Sequence, residues 1–229
     1  INTAPDHDLS ASAAREKAFF DIIEREIEKA TGGKAKVERP AIDPAIVDDP
    51  VYSPPGYAAD PQGQLPPVER IYANRGNLVA HIPSGQGTDK AALILHAHGD
   101  VVSPWFGPRI QGNRIYGRGS CDNKAQVAIA LAQLQLLGEI QDKLGHKPVK
   151  GYVIQIAIDE EIGGNGSLAL AMDPRFAGLP VLMLESSDLV PYCAHRGAVY
   201  YRCQLSAGAQ SQFSALEMFP LVVLELEAE

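Results

Sequence analysis

Five consecutive apolar residues, Ala91 to Leu95, lead directly into His96-Ala97-His98-Gly99-Asp100. A run with no polar alternation offers no face to water, so the strand it predicts, Ala91 to His96, must be covered on both sides. Helices supply that cover in most folds, and the flanking sequence provides them. From Ser10 to Thr31 the residues Ala13, Phe19, Phe20, Ile22, Ile23, Ile27 and Ala30 recur at helical spacing, and Gly32-Gly33 follows as a stop. Lys124 to Leu137 predicts a second helix, covered nearly all round and ended by Gly138, and Ser167 to Met172 a short third. Asn77 to Ile82, Tyr152 to Ile158, Val181 to Leu184 and Ala198 to Leu205 read as further strands. The order predicts an α/β domain: a mostly parallel central sheet with helices on both faces. Residues 40 to 67 contain eight prolines, which remove ladder donors and stop helices, so a long surface loop is expected there.

The chain has 229 residues, 45 % of them apolar and 21 % charged, which is a globular composition and excludes disorder. No apolar run approaches the roughly 18 residues of a membrane span. A net charge of −8 repels a phosphate backbone, so neither nucleic acid nor membrane is an expected partner. Three cysteines, Cys121, Cys193 and Cys203, are too few and too odd in number for a disulfide framework, and a reducing, cytoplasmic setting is expected. The chain opens at Ile1 without a basic-then-apolar leader, which suggests a processed or trimmed start.

Sites in α/β sheets form where strands end, and four such places carry acids or histidine. His98 and Asp100 follow the first apolar strand, and an imidazole two residues from a carboxylate suits a metal ligand whose second nitrogen is held by an acid; a plain polar turn is the alternative. Gly117-Arg118-Gly119-Ser120-Cys121-Asp122 delivers Asp122 to a helix start, where it can bridge two cations or merely cap the helix. Asp159-Glu160-Glu161 ends another strand, and adjacent acids rarely serve a core because like charges repel; a nearby cation resolves that cost, and a solvated acidic turn is the competing view. Glu185 ends the strand from Val181, with Asp188 behind it. Hard oxygen ligands plus one imidazole, all after strands, spell a two-metal hydrolytic site. Cys121 lacks the His–Asn signal of a thiol nucleophile, and the triplet Asn165-Gly166-Ser167 reads simply as a turn.

The stretches LILHAHGDVV, GNRIYGRGSCDNKAQVAIAL and IAIDEEIGGNGS, in that order, resemble the co-catalytic zinc metallopeptidase family of glutamate carboxypeptidase, aminoacylases, acetylornithine deacetylase and carnosinase-like dipeptidases. The resemblance covers about residues 70 to 205. It implies His98 as a ligand of one zinc, Asp100 as the acid behind it, Asp122 as the bridging carboxylate, Glu161 as a ligand of the second zinc and Glu160 as general base. Glu185 best matches the family's next acidic ligand, with Asp188 as fallback. The implied activity is hydrolysis of amide bonds in dipeptides or N-acyl amino acids by a water held between two zinc ions, with cobalt or manganese as other metals the ligands accept.

The family also carries a lid domain and a return segment bearing a last histidine ligand. No histidine follows His195, and 205 to 229 leaves no room for a lid, so the chain reads as truncated. Residues 1–205 are expected to form a partial catalytic domain and 206–229 a tail or remnant of the missing half. His195 could be offered as a substitute ligand but reads more simply as part of a turn. A catalytically inactive fragment serving binding or assembly is the alternative function, and a homodimer is the expected full-length form. Glu160 should titrate above an ordinary Glu, and without a cation the cluster of Glu160, Glu161 and Asp122 should hold a proton near neutral pH.

Overall fold

The structure, a computed structural model, describes residues 1–84, 91–145 and 148–194. Two compact units divide the chain, Ile1–Leu189 and Val190–Glu229. The expected strand from Ala198, the residues His195 and Cys203, the boundary at 205 and the tail all lie outside the described residues.

In the first unit, helix α1 (Leu9–Thr31) is followed by strand β1 (Lys36–Glu38), helix α2 (Val68–Ile71) and strands β2 (Leu78–Ile82) and β3 (Ala91–His98). A hairpin of β4 (Arg109–Gln111) and β5 (Arg114–Tyr116) comes next, then α3 (Lys124–Leu144), β6 (Gly151–Ala157), α4 (Asn165–Met172) and β7 (Val181–Met183). The sheet runs in the order β1-β2-β6-β3-β7. Its site-bearing half, β6, β3 and β7, is parallel, and β2 and β1 extend it antiparallel. The α/β class read from the sequence holds, with helices on both faces. No helix among the described residues is long and apolar enough to cross a membrane.

Alternation along each strand explains the two-sided cover. Leu78, Ala80, Ile82, Leu95, Ala97, Ile154 and Ile156 belong to one buried cluster with Phe19, Phe20, Ile23 and Ile27 of α1 and Val127, Ala130 and Leu134 of α3. Val79, Ile94, Val153 and Ala157, one residue out of phase, pack with Leu170 of α4 and Phe176 on the other face. His96 shares that second face, its ring held between Gln155 Oε1 at 3.1 Å and Ser167 Oγ at 2.9 Å. Asp8 caps α1 by accepting from the Ala11 N–H, and Gly32 ends it in the left-handed region at φ 58°.

Three expectations need correction. Gly138 does not end α3, which continues to Leu144 and stops at Gly145 with φ 63°. A single helical glycine costs only about 1 kcal/mol, and the turn beyond it carries the Glu139–Lys143 ion pair at 3.0 Å. Nor is α3 covered all round: Ile129, Leu136, Ile140 and Leu144 are exposed, and its buried residues are Val127, Ala130 and Leu134. Residues 40–67 are also more than a surface loop. They include short 3-10 turns at Pro44–Asp48 and Gly56–Ala58 and send Ile42 and Ile46 into the core.

Two buried asparagines tie this loop and α4 to the end of β6. Asn77 Oδ1 accepts from the Ile158 N–H and its Nδ2 donates to Gly166 O. Asn165 accepts from the Ser53 N–H at 3.0 Å and donates to Ser53 O at 2.7 Å and to the Tyr72 hydroxyl at 3.0 Å. Gly166 sits so close to β6 that a Cβ would collide with the backbone of Ile158 and meet Asn77 Oδ1 at 2.7 Å. Gly166→Ala is therefore expected to lower stability by about 2 kcal/mol or more through overpacking. Gly107→Ala, where a Cβ meets nothing within 4 Å, should leave stability nearly unchanged. Urea unfolding of both variants checks the pair, and an equal effect would refute the close approach.

Candidate metal centre

Parallel register builds the site. His98, the last residue of β3, lies opposite Ala157 at the end of β6, so the acidic turn that follows β6 emerges beside it. His96 lies opposite Met183 of β7, which brings Glu185 out on the same edge. The glycine-rich turn before α3 adds Asp122 from the third side.

His98 is 1 % exposed, so its ring nitrogens need partners inside the protein. Nε2 lies 3.0 Å from Asp122 Oδ1, 3.5 Å from Glu160 Oε2 and 3.8 Å from Glu185 Oε1. Nδ1 lies 3.3 Å from Asp100 Oδ1, an ion-pair distance without aligned hydrogen-bond geometry. Asp100 is wholly buried and holds the acidic turn as well: its two oxygens accept from the Glu160 and Glu161 N–H groups, each at 3.1 Å. His98, Asp122 and Glu161 offer ligand atoms that all lie within 4.8 Å of one another. Among the described residues, the acids within 4 Å of a His98 nitrogen are Asp100, Asp122, Glu160 and Glu185, and Asp188 is not among them.

The electrostatics follow from this crowding. Burial disfavours the His98 imidazolium, but Asp100, Glu160 and Glu185 outweigh it and hold the pKa up at about 9. Burial, and next the charge of Asp122, push the Glu161 carboxyl up to about 7. Glu160 and Glu185 are also raised above the ordinary glutamate range, chiefly by burial. The expectation that these acids hold a proton when no cation is present agrees with that direction. One imidazole and several carboxylates converging within the reach of a single ion fit a divalent cation.

Some sequence alternatives fall here. Asp122 is not the cap of α3: that position is Asn123, which makes no side-chain cap bond. The acidic turn is not simply solvated, because Asp159 is 0 % exposed and paired with Arg75 at 2.7 Å. Asp159 does enter the core, and the nearby cation that the sequence reading required for this is the buried guanidinium of Arg75. Cys121 is exposed and donates to the Ser186 hydroxyl at 3.4 Å.

Asn123 is a residue that motif reading missed. Its Nδ2 donates to Leu184 O at 2.7 Å and to Glu185 Oε2 at 3.0 Å, and its Oδ1 accepts from the His98 N–H at 3.3 Å. It thus joins the ends of β3 and β7 and orients Glu185. The only signal for it was its place beside Asp122 at a helix start.

Residues 94–191, which hold every one of these side chains from His98 to Glu185, match the model of peptidase family M20/M25/M40. A Peptidase M20 domain-containing protein of Schizosaccharomyces pombe is 32 % identical over 108 residues, covering 45 % of this chain and 25 % of its own. An acetylornithine deacetylase of Myxococcus xanthus is 29 % identical over 150 residues, covering 62 % and 36 %. The N-fatty-acyl-amino acid synthase/hydrolase PM20D1 of Xenopus tropicalis is 38 % identical over 96 residues, covering 38 % and 18 %. The matched parts thus span between 18 % and 36 % of the length of these relatives. Over residues 94–191, the chain is thus similar to peptidase family M20/M25/M40.

Proposed function

We propose that the chain carries catalytic machinery of a metal-dependent hydrolase that cleaves amide bonds in dipeptides or N-acyl amino acids. The observation that carries this reading is the convergence of Asp122, Glu160, Glu161 and Glu185 on one buried imidazole at a sheet edge. The names of two relatives, a deacetylase and a synthase/hydrolase of N-fatty-acyl amino acids, favour an acylated amino acid as substrate.

In this reading His98 and Glu185 would hold one zinc and Glu161 a second, with Asp122 as a ligand common to both; cobalt and manganese would suit the same residues. Bound zinc would supply Lewis acidity toward the scissile carbonyl and lower the pKa of a water. Glu160 is the general base. Its side chain is 35 % exposed, so water reaches it, and its raised pKa suits a group that takes a proton and returns it to the leaving amine. Asp100 orients His98 from behind and carries the turn that bears Glu160 and Glu161. A small peptide or N-acyl amino acid is the proposed partner, with neither nucleic acid nor membrane, in a cytoplasmic protein that dimerises in its full-length form. Turnover and metal content of the chain discriminate this reading from an inactive binding module.

Glu160→Gln is expected to cut amide hydrolysis by about 100-fold or more with bound metal unchanged. Asp122→Ala should lose metal at both positions. Metal content after dialysis, measured beside turnover of a dipeptide and an N-acetyl amino acid, checks both, and zinc loss in Glu160→Gln would sink the assignment of the base.

Metal uptake should also expel protons. His98 carries one below about pH 9 and Glu161 one below about pH 7, and neither can ligate while protonated. Net proton release on zinc addition should therefore grow as pH falls from 9 to 6. Calorimetry in two buffers of different ionisation enthalpy reads it directly, and release that stays flat across that range would contradict the coupling.

A further inference from the structure

Arg75 lies just before β2, and its side chain is 0 % exposed. Every donor of its guanidinium is engaged. Nε and Nη2 donate to Glu16 of α1 at 2.9 and 2.6 Å, Nη2 donates to Asp159 Oδ1 at 2.7 Å, and Nη1 donates to the Tyr57 hydroxyl at 2.5 Å and to Ile71 O at 3.3 Å. Tyr57 passes the contact on, donating to Asp159 Oδ2 at 2.5 Å. Both oxygens of Asp159 are thus held, one by Arg75 and one by a tyrosine from the proline-rich loop.

Asp159 has φ 52°, a left-handed conformation that a non-glycine residue adopts at an energetic cost. It directly precedes Glu160 and Glu161, whose N–H groups go to Asp100. The turn is therefore gripped twice, by its first side chain from below and by its next two amides from the side. Burying one guanidinium against two carboxylates is a poor route to stability alone, since apolar residues of like volume commonly do as well. It is an effective way to hold one carboxylate, and the unusual backbone attached to it, in a single orientation.

We propose that Arg75 and Tyr57 are positioning residues: by clamping Asp159 in its left-handed conformation they set the direction in which Glu160 and Glu161 leave β6. The backbone part of this assignment stands on geometry alone, and its consequence for metal binding rests on the hydrolase reading above.

The test uses the 229-residue chain and its Tyr57→Phe and Asp159→Asn variants, with two readouts. The first is amide hydrogen exchange of the metal-free protein. Exchange at Glu160 and Glu161 should rise by roughly tenfold in both variants, while the amides of Phe20 and Ile23 in α1 stay as in the parent. The second is cobalt(II) titration, where affinity should fall by about 10- to 100-fold, as it does when groups behind metal ligands are removed. Glu160 and Glu161 amides that exchange within about twofold of the parent overturn the proposal, and so does a uniform rise that includes α1, which marks the contacts of Asp159 with Arg75 and Tyr57 as general stability elements. Should Asp159→Asn not fold, Tyr57→Phe decides, since it removes one hydroxyl and keeps every charge. A parent chain that takes up no cobalt defeats the hydrolase reading separately, and the exchange data still judge the clamp.

Discussion

The carboxylate of Asp100 is where the site is joined. One of its oxygens lies 3.3 Å from His98 Nδ1 and accepts from the Glu160 N–H, and the other accepts from the Glu161 N–H. Among the described residues, the last backbone hydrogen bond joining the β3 end to the β6 end is the Gly99 N–H to Ala157 O, at 2.9 Å, one step past the His98–Ala157 pair. Beyond that point the backbones part, and Asp100 takes over the ladder's work with a charged side chain in a dry environment, where hydrogen bonds are strong. Without it His98 would lose its support and the acidic turn one of its two anchors at once.

The neighbouring cation reinforces the junction. Lys124, the first residue of α3, donates to Gly99 O at 2.8 Å and to the Thr3 hydroxyl at 2.5 Å, so it binds the chain before α1 to the loop between His98 and Asp100. Burial lowers its pKa to about 8, against the pull of Asp100 and Glu161. Lys124 and Arg75 thus flank a strongly acidic cluster from two sides, and both are committed to structural contacts. The open side, toward Asp122, Glu160 and Glu185, has acids about a third to a half exposed.

The sheet and its helices were readable because burial on both faces leaves a pattern of apolar runs and spacings that local chemistry cannot disguise. The metal-type residues were readable because three motifs occur in order after strand ends. What escaped was cross-chain pairing. Asn123, Asn77 and Arg75 have no periodicity and no motif, and their meaning depends on partners 4 to 89 positions away. Asp159 stayed undecided for the same reason: beside two other acids it reads equally as solvated charge or as a group awaiting a cation, and Arg75, 84 positions earlier in the chain, makes it a core residue. The end of α3 escaped because a lone glycine weighs little against the helix formers on either side of it.

Asn165 and Gly166 form the dipeptide most prone to chemical ageing, because a glycine without Cβ lets its backbone nitrogen attack the preceding side-chain amide. In this fold the reaction is blocked. The Asn165 amide is 0 % exposed, with its nitrogen spent on Ser53 O and the Tyr72 hydroxyl and its oxygen on the Ser53 N–H, while Gly166 is pressed against β6. Deamidation at this bond therefore requires the proline-rich loop to come away from α4 first, and the rate at which aspartate and isoaspartate together accumulate at position 165 during storage is a slow clock for how often that loop undocks.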